Sequence, residues 1–223
     1  PSYPLHKLPY FIFPQLSIFC TMLFELAVFD YNTAQKALAA NVDRIELCED
    51  YQSGGITPSL HLLQKVLELS NMNIFVMIRC RPGNFVYTKD EINTMLSQIR
   101  EFKSFNIKGF VFGALTSDFE VDVESSRSVI NAAHPLPVTF HRAFDQCSDL
   151  FKSAEEIIDC GFKRILTSGG KPNSFEGRFV IKDLISKFTE KIIFIPGGGI
   201  RNHNLKEIIN TTGASEFHSS VIL

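Results

Sequence analysis

The sequence carries no surplus of either charge. In its 223 residues 22 Lys and Arg stand against 24 Asp and Glu, a net charge of −2, and the basic residues are scattered rather than gathered into a stripe. That removes the electrostatic footprint of a nucleic-acid-binding surface. Cysteines are odd in number and irregularly placed (Cys20, Cys48, Cys80, Cys147, Cys160), and no two stand in a CxxC pair. Zinc ribbons and disulfide frameworks need paired spacing, so neither is expected, and a reducing, cytoplasmic setting is. Also missing is an unbroken apolar run of the ~20 residues that a membrane span takes. The most apolar stretch, positions 1–21, is interrupted by Pro1, Pro4, Pro9 and Pro14, which exclude a continuous helix. It has a weak basic start and no clean small-residue cleavage site, which makes it a poor signal peptide. Positions 1–21 are therefore read as an extension outside the fold, and positions 22–223 as one domain.

What is present is a regular alternation. At 45% hydrophobic content the chain has ample core material. Short apolar strands are expected at 24–28, 43–48, 73–79, 109–113, 137–141, 164–168, 191–199 and 215–220. Between them lie helix patterns at 31–40, 59–70, 89–105, 123–133, 150–160, 177–188 and 205–211, the first with Asn32 or Thr33 as cap. Strict strand–helix alternation predicts a parallel sheet. It suits a doubly wound open sheet too, but eight units favour closure into an α/β TIM (β/α)8 barrel. A last helix after the eighth strand is not in the sequence, which would leave apolar surface uncovered at that seam.

Side-chain alternation then decides which residues face the barrel interior. If Ile45 and Leu47 face the helices, Arg44, Glu46 and Cys48 face inward. By the same test Glu25, Met77, Arg79, Thr139 and His141 point inward, with Arg81 a further candidate. Unpaired buried charge costs several kcal/mol, so these groups must pair, bind something or sit at the wet rim. Two readings follow: a satisfied internal network of Glu46, Arg79 and His141, or a site at the carboxyl ends of the strands. The stretch VTFHRAFD, 138–145, ends strand five in His141 with Asp145 one turn on, where barrel enzymes assemble their chemistry. Gly-rich stretches follow strands two (SGG, 53–55), six (TSGG, 167–170) and seven (PGGG, 196–199). The first reads as a tight turn needing positive φ. The other two make Ser168, Gly169, Gly198 and Gly199 candidates for holding an anion.

RIELC, GGITPS, MIR, VFGALTSD, LPVTFHRAFD, GFKRILTSGG, PGGGI and GASEFHSS, in that order, resemble the CutC family of copper homeostasis proteins from about Phe24 onward. The resemblance implies a TIM-type barrel, copper handling, a cytoplasmic and also nuclear location, and a homo-oligomer; it implies no established reaction. Carried over residue by residue, the family's pattern falls on Glu46, Cys48, Arg79, Arg81, His141, Asp145 and His218. The sequence departs where members read MIRPRGGDF and this chain reads MIRCRPGNF, placing Cys80 for a proline and Asn84 for an aspartate.

Copper(I) is soft and favours thiolates. Cys48 and Cys80 end neighbouring strands ~5 Å apart, so a two-sulfur site at the rim, with His218 as a third candidate ligand, is one expectation. Cys147 and Cys160 read as structural. The competing expectation is an enzyme: Glu25, Glu46 and His141 for acid–base work, Asp145 orienting His141, Arg79 neutralising negative charge, and the glycines holding a small anionic or phosphorylated substrate. An interaction scaffold with an unused site is a third.

Overall fold

The computed structural model describes residues 22–69 and 72–221; the extension read at 1–21 lies outside the described residues. Eight parallel strands run Leu23–Val28 (β1), Arg44–Leu47 (β2), Ile74–Met77 (β3), Gly109–Phe112 (β4), Val138–Phe140 (β5), Arg164–Thr167 (β6), Ile193–Pro196 (β7) and Glu216–Ser219 (β8). Each neighbours its predecessor in sequence, and β8 returns to pair with β1, Glu25 opposite His218. At the remaining seam a β-carbon added to Gly197, after β7, would lie 3.2 Å from the His218 Cβ of β8, so the sheet curls round on itself. This is the expected barrel.

Among the described residues seven helices alternate with the strands: Tyr31–Ala39 (α1), Leu60–Leu67 (α2), Lys89–Phe102 (α3), Val123–Ala133 (α4), Leu150–Cys160 (α5), Arg178–Lys187 (α6) and Asn202–Thr212 (α7). Their starts are chemically marked. Thr88 and Glu91 form a reciprocal capping box, and Ser59, Asp122 and Asp149 accept first-turn N–H groups. The cap of α1 is Asp30, whose carboxylate accepts from the Thr33 N–H at 2.7 Å, rather than Asn32 or Thr33.

Outward strand residues such as Leu26, Ile45, Val76, Ile78, Phe110 and Phe140 pack with the helices in one large apolar shell. Interior residues form a different layer. Arg44 Nη2 lies 2.6 Å from Glu216 Oε2 and Arg44 also pairs with Glu25, while Arg164 Nε is 2.9 Å from Glu216. Both guanidinium groups sit over the Phe75 ring, at 4.8 and 5.3 Å. Phe75 fits because Gly109 has no side chain to meet it. The barrel floor is thus a closed ionic network, built from Glu25, Arg44, Arg164 and Glu216 and not from Glu46, Arg79 and His141. Where an uncovered seam was expected, a groove of about 350 Å³ lies beside β1 and β8, lined by Phe24, Leu26, Val42, Leu205 and Val221 among others.

Candidate functional site

Above that floor, at the carboxyl ends of the strands, opens a cavity of about 450 Å³. Glu46 of β2 and Cys48 just after it, Met77 of β3 and Arg79 just after it, His141 after β5 and His218 of β8 all reach it. Period-two alternation put them there: each is an inward residue at the last turns of its strand.

The acid–base side is a line of three groups. His218 Nδ1 lies 2.8 Å from Glu25 Oε1, and its Nε2 lies 3.5 Å from Glu46 Oε2. The two carboxylates respond oppositely. Although burial alone would raise Glu25, bonds from His218 and the charge of Arg44 hold it down at about 2, so it stays ionised. Burial dominates at Glu46 and lifts it to about 7, with only partial relief from His218. Its Oε1 is buried without a partner among the described residues. Burial pushes the His218 imidazole down, but the two carboxylates outweigh it and raise the group overall.

His141 is held differently. The Ala143 N–H donates to its Nδ1 at 3.1 Å, which assigns the ring proton to Nε2. Burial, reinforced by the Arg79 charge, lowers the imidazole to about 3, so the ring is neutral. Its Nε2 has no acceptor among the described residues. The ring lies 4.8 Å from the Phe85 ring and directly over Gly113, where a Cβ would come within 2.5 Å of Nδ1. Arg79 braces the walls: it donates to the Ser53, Gly55 and Gly83 carbonyls at 2.9–3.0 Å, drawing the loops after β2 and β3 together. Its charge faces the cavity while most of its donors are engaged. The SGG turn is tight, with Gly54 and Gly55 at φ of 78° and 91°.

Several expectations need correction here. Asp145 does not orient His141. Its carboxylate accepts from Arg142 Nε, Thr167 Oγ1, the Ser168 N–H and hydroxyl, and the Gly170 N–H, at 2.6–3.1 Å. Asp145 is therefore the anion of the TSGG turn. Ser168 is engaged by it, and the Gly169 N–H donates to Thr167 Oγ1, so neither is free for a ligand. Gly198 and Gly199 do line the cavity at positive φ, and their N–H groups have no acceptor among the described residues. Beside them stands Arg142, which the sequence reading left out of the site. Strand alternation sends Arg142 away from the interior, but the 3₁₀ turn Arg142–Gln146 swings it over the rim. Asp145 and Ser168 fix its Nε and Nη2, leaving Nη1 beside Gly198. Arg81 is turned away and pairs with Glu91 of α3.

The two-thiol copper site does not form. Cys48 points into the barrel with Glu46, but Cys80 follows the parity of Ile78 and packs in the helix shell. Burial and the nearby Glu46 charge push the Cys48 thiol well up, against the thiolate form that metals bind. Both nitrogens of His218 already face carboxylates. Among the described residues no group of three or more His, Cys, Asp or Glu is arranged to hold a metal ion. The sulfur that does adjoin Cys48 is Met77, one residue beyond the Leu47–Val76 register pair and in the same inner cluster.

A closed parallel barrel with ionisable side chains converging on its carboxyl mouth defines a TIM-barrel protein with a small-molecule-sized site. Residues 22–223 match the CutC family, and the chain belongs to that family. It is 43% identical over 198 residues to the human copper homeostasis protein cutC homolog, covering 89% of this chain and 72% of that one. The CutC family protein of Pasteurella multocida is 38% identical over 199 residues, covering 89% and 82%. The crystal structure of a CutC copper homeostasis protein from Streptococcus agalactiae superposes with a TM-score of 0.85 at 31% identity, over 91% of this chain and all of that one. No described helix is long and apolar enough to cross a membrane.

Proposed function

We propose that the barrel mouth is an acid–base site for a small anionic molecule, with Glu46 as the group that moves the proton. The observation that carries this is Glu46 itself. It is a buried carboxyl lifted to about 7, with one oxygen unpartnered among the described residues, lining a cavity whose rim also carries Arg142, Gly198 and Gly199. A carboxyl that titrates near neutrality serves as base or acid with little cost in either direction. Structural ion pairs show the opposite pattern, as Glu25 does.

Sulfate, which stays a dianion across the neutral range, tests the reading. Because an ionised Glu46 repels an anion, sulfate should raise the melting temperature of the wild type more at pH 6 than at pH 8. In Glu46→Gln that pH dependence should disappear, and in Arg142→Met the stabilisation itself should shrink. Sulfate that fails to stabilise the wild type, or does so with the same pH dependence in Glu46→Gln, overturns the proposal.

A second reading, copper handling as the relatives' names state, is favoured by one feature: the Cys48 thiol and Met77 thioether stand side by side in the cavity. Two soft sulfur donors suit Cu(I). Since the Cys48 thiol must lose its proton on binding, affinity should rise with pH. Anaerobic Cu(I) titration against a chromophoric competitor should show weaker binding in Cys48→Ser and Met77→Leu and none of that loss in Cys80→Ser. Binding that survives Cys48→Ser unchanged rejects this reading.

A further inference from the structure

We infer that the site enolises a small carbonyl compound bearing an anionic group, with Glu46 removing a proton from the carbon next to the carbonyl and His141 donating its Nε2–H to the carbonyl oxygen. This rests on the acid–base reading of Glu46 and adds a reaction and a substrate class to it.

Three features of one cavity lead there. Glu46 keeps an unpartnered carboxyl oxygen and His141 an unpartnered Nε2, both buried. Arg142 Nη1 stands beside Gly198, where a Cβ would come within 2.9 Å of it, and makes a separate anion-seeking corner. The cavity thus offers a base, a neutral hydrogen-bond donor and an anion holder.

Other reaction classes lack a partner. Glycoside-type hydrolysis takes a second, ionised carboxylate at the substrate, and Glu25, tied to Arg44 and His218, does not line the cavity. Covalent catalysis takes an activated nucleophile, yet the Cys48 thiol is pushed up and the Ser168 hydroxyl is engaged by Asp145 and the Lys171 carbonyl. Enolisation needs only what is present. The C–H electron pair becomes the new C=C bond, the carbonyl π pair moves onto oxygen, and the proton passes to a Glu46 oxygen. Returning that proton to the same carbon completes an exchange without oxidant or co-reactant. A neutral imidazole pinned through Nδ1 stabilises the enolate oxygen by hydrogen bonding without becoming the base itself. Its N–H can turn neither away nor over, because Ala143 holds the far side of the ring and Gly113 admits it.

The test is proton–deuterium exchange in D2O followed by NMR, with dihydroxyacetone phosphate as the phosphate probe and pyruvate as the carboxylate probe. Wild type should exchange the carbon-bound protons of at least one probe above the buffer rate, and which one identifies the anionic group. Glu46→Gln should slow exchange by about 100-fold or more. His141→Phe should slow it by about 100-fold while sulfate still raises the melting temperature, and His141→Gln, which keeps an N–H donor, should recover part of the rate. Exchange that is absent for both probes, while sulfate still stabilises the protein, overturns the inference and leaves the acid–base anion site standing. Exchange unaffected by Glu46→Gln overturns it too. Loss of both exchange and sulfate stabilisation removes the underlying reading as well.

Discussion

His218 and Glu25 lie 2.8 Å apart across the β8–β1 ladder, a buried imidazole against a buried carboxylate, joining the ionic floor of the barrel to its mouth. Glu25 is tied on its other side to Arg44 and is ionised at neutral pH. The opposite nitrogen of His218 faces Glu46, which has no such second partner and titrates near neutrality. One imidazole thus separates a carboxylate with a structural role from one free to exchange protons.

That separation fixes the pH dependence of stability. The folded-state pKa of Glu46 is raised from 4.5 to about 7, so the folded protein holds this proton more tightly than the unfolded chain does. The contribution is fully present below pH 4.5 and is lost as pH rises through about 7, on the order of 3 kcal/mol. Glu46→Gln keeps the shape and removes the titration. Urea denaturation should therefore show Glu46→Gln gaining on the wild type between pH 5 and about pH 7 and levelling off by pH 8. A difference that is flat across that range refutes the assignment.

Glu25 works with the opposite sign. Its pKa is depressed from 4.5 to about 2, so its contribution is present above pH 4.5 and lost as pH falls toward 2. Glu25→Leu leaves Arg44 with Glu216 as its remaining ionic partner and removes the Nδ1 partner of His218. Breaking a buried pair in this way costs about 3–5 kcal/mol at neutral pH, and the loss should narrow in acid. Equal destabilisation at pH 3 and pH 7 would contradict the ionic account.

Asp145 presents a case where the anion of a Gly-rich turn is part of the chain. Asp145→Ala removes the acceptor of the Ser168 and Gly170 N–H groups and releases Arg142. The expected cost is about 2–4 kcal/mol, from several buried donors left unpaired. Formate, small enough for the vacated position, should raise the melting temperature of Asp145→Ala by more than it raises that of the wild type. Absence of that selective rescue would mean that the carboxylate does not organise the turn.

Much of this was legible beforehand because barrel strands are read by parity. Inward placement of Glu25, Glu46, Cys48, Arg79 and His141 needed only the apolar residues on either side of each. Parity also argued against the copper pair: Cys80 neighbours Arg79 and so shares the outward face of Ile78, a conflict that strand proximity alone concealed. The same EFHS alternation that sends His218 inward sends Glu216 with it, so a further member of the floor network could have been found beside Glu25 and Arg44. Arg142 could not, since its position depends on a 3₁₀ turn that breaks the period of two. Nor could the satisfaction of the TSGG turn by Asp145, which depends on how the loops after β5 and β6 meet.

Gly113 offers the sharpest test of the His141 assignment, because it perturbs the ring without touching its chemistry. A Cβ there would lie 2.5 and 2.6 Å from Nδ1 and Cε1, so the imidazole must move, and it is too buried to move without disturbing Phe85 and the Ala143 bond. Overpacking of this kind costs about 1–3 kcal/mol. In the wild type, nitrogen-15 NMR should show the His141 ring neutral with its proton on Nε2 from pH 8 down to pH 5, since its pKa is lowered to about 3. In Gly113→Ala the displaced ring loses its Nδ1 donor and part of its burial. Its signals should then titrate between pH 5 and pH 7, while those of His218, held by Glu25 and Glu46, stay as they are. A wild-type His141 that already titrates in that range, or a Gly113→Ala ring that still does not, would show that the environment described here does not set its protonation.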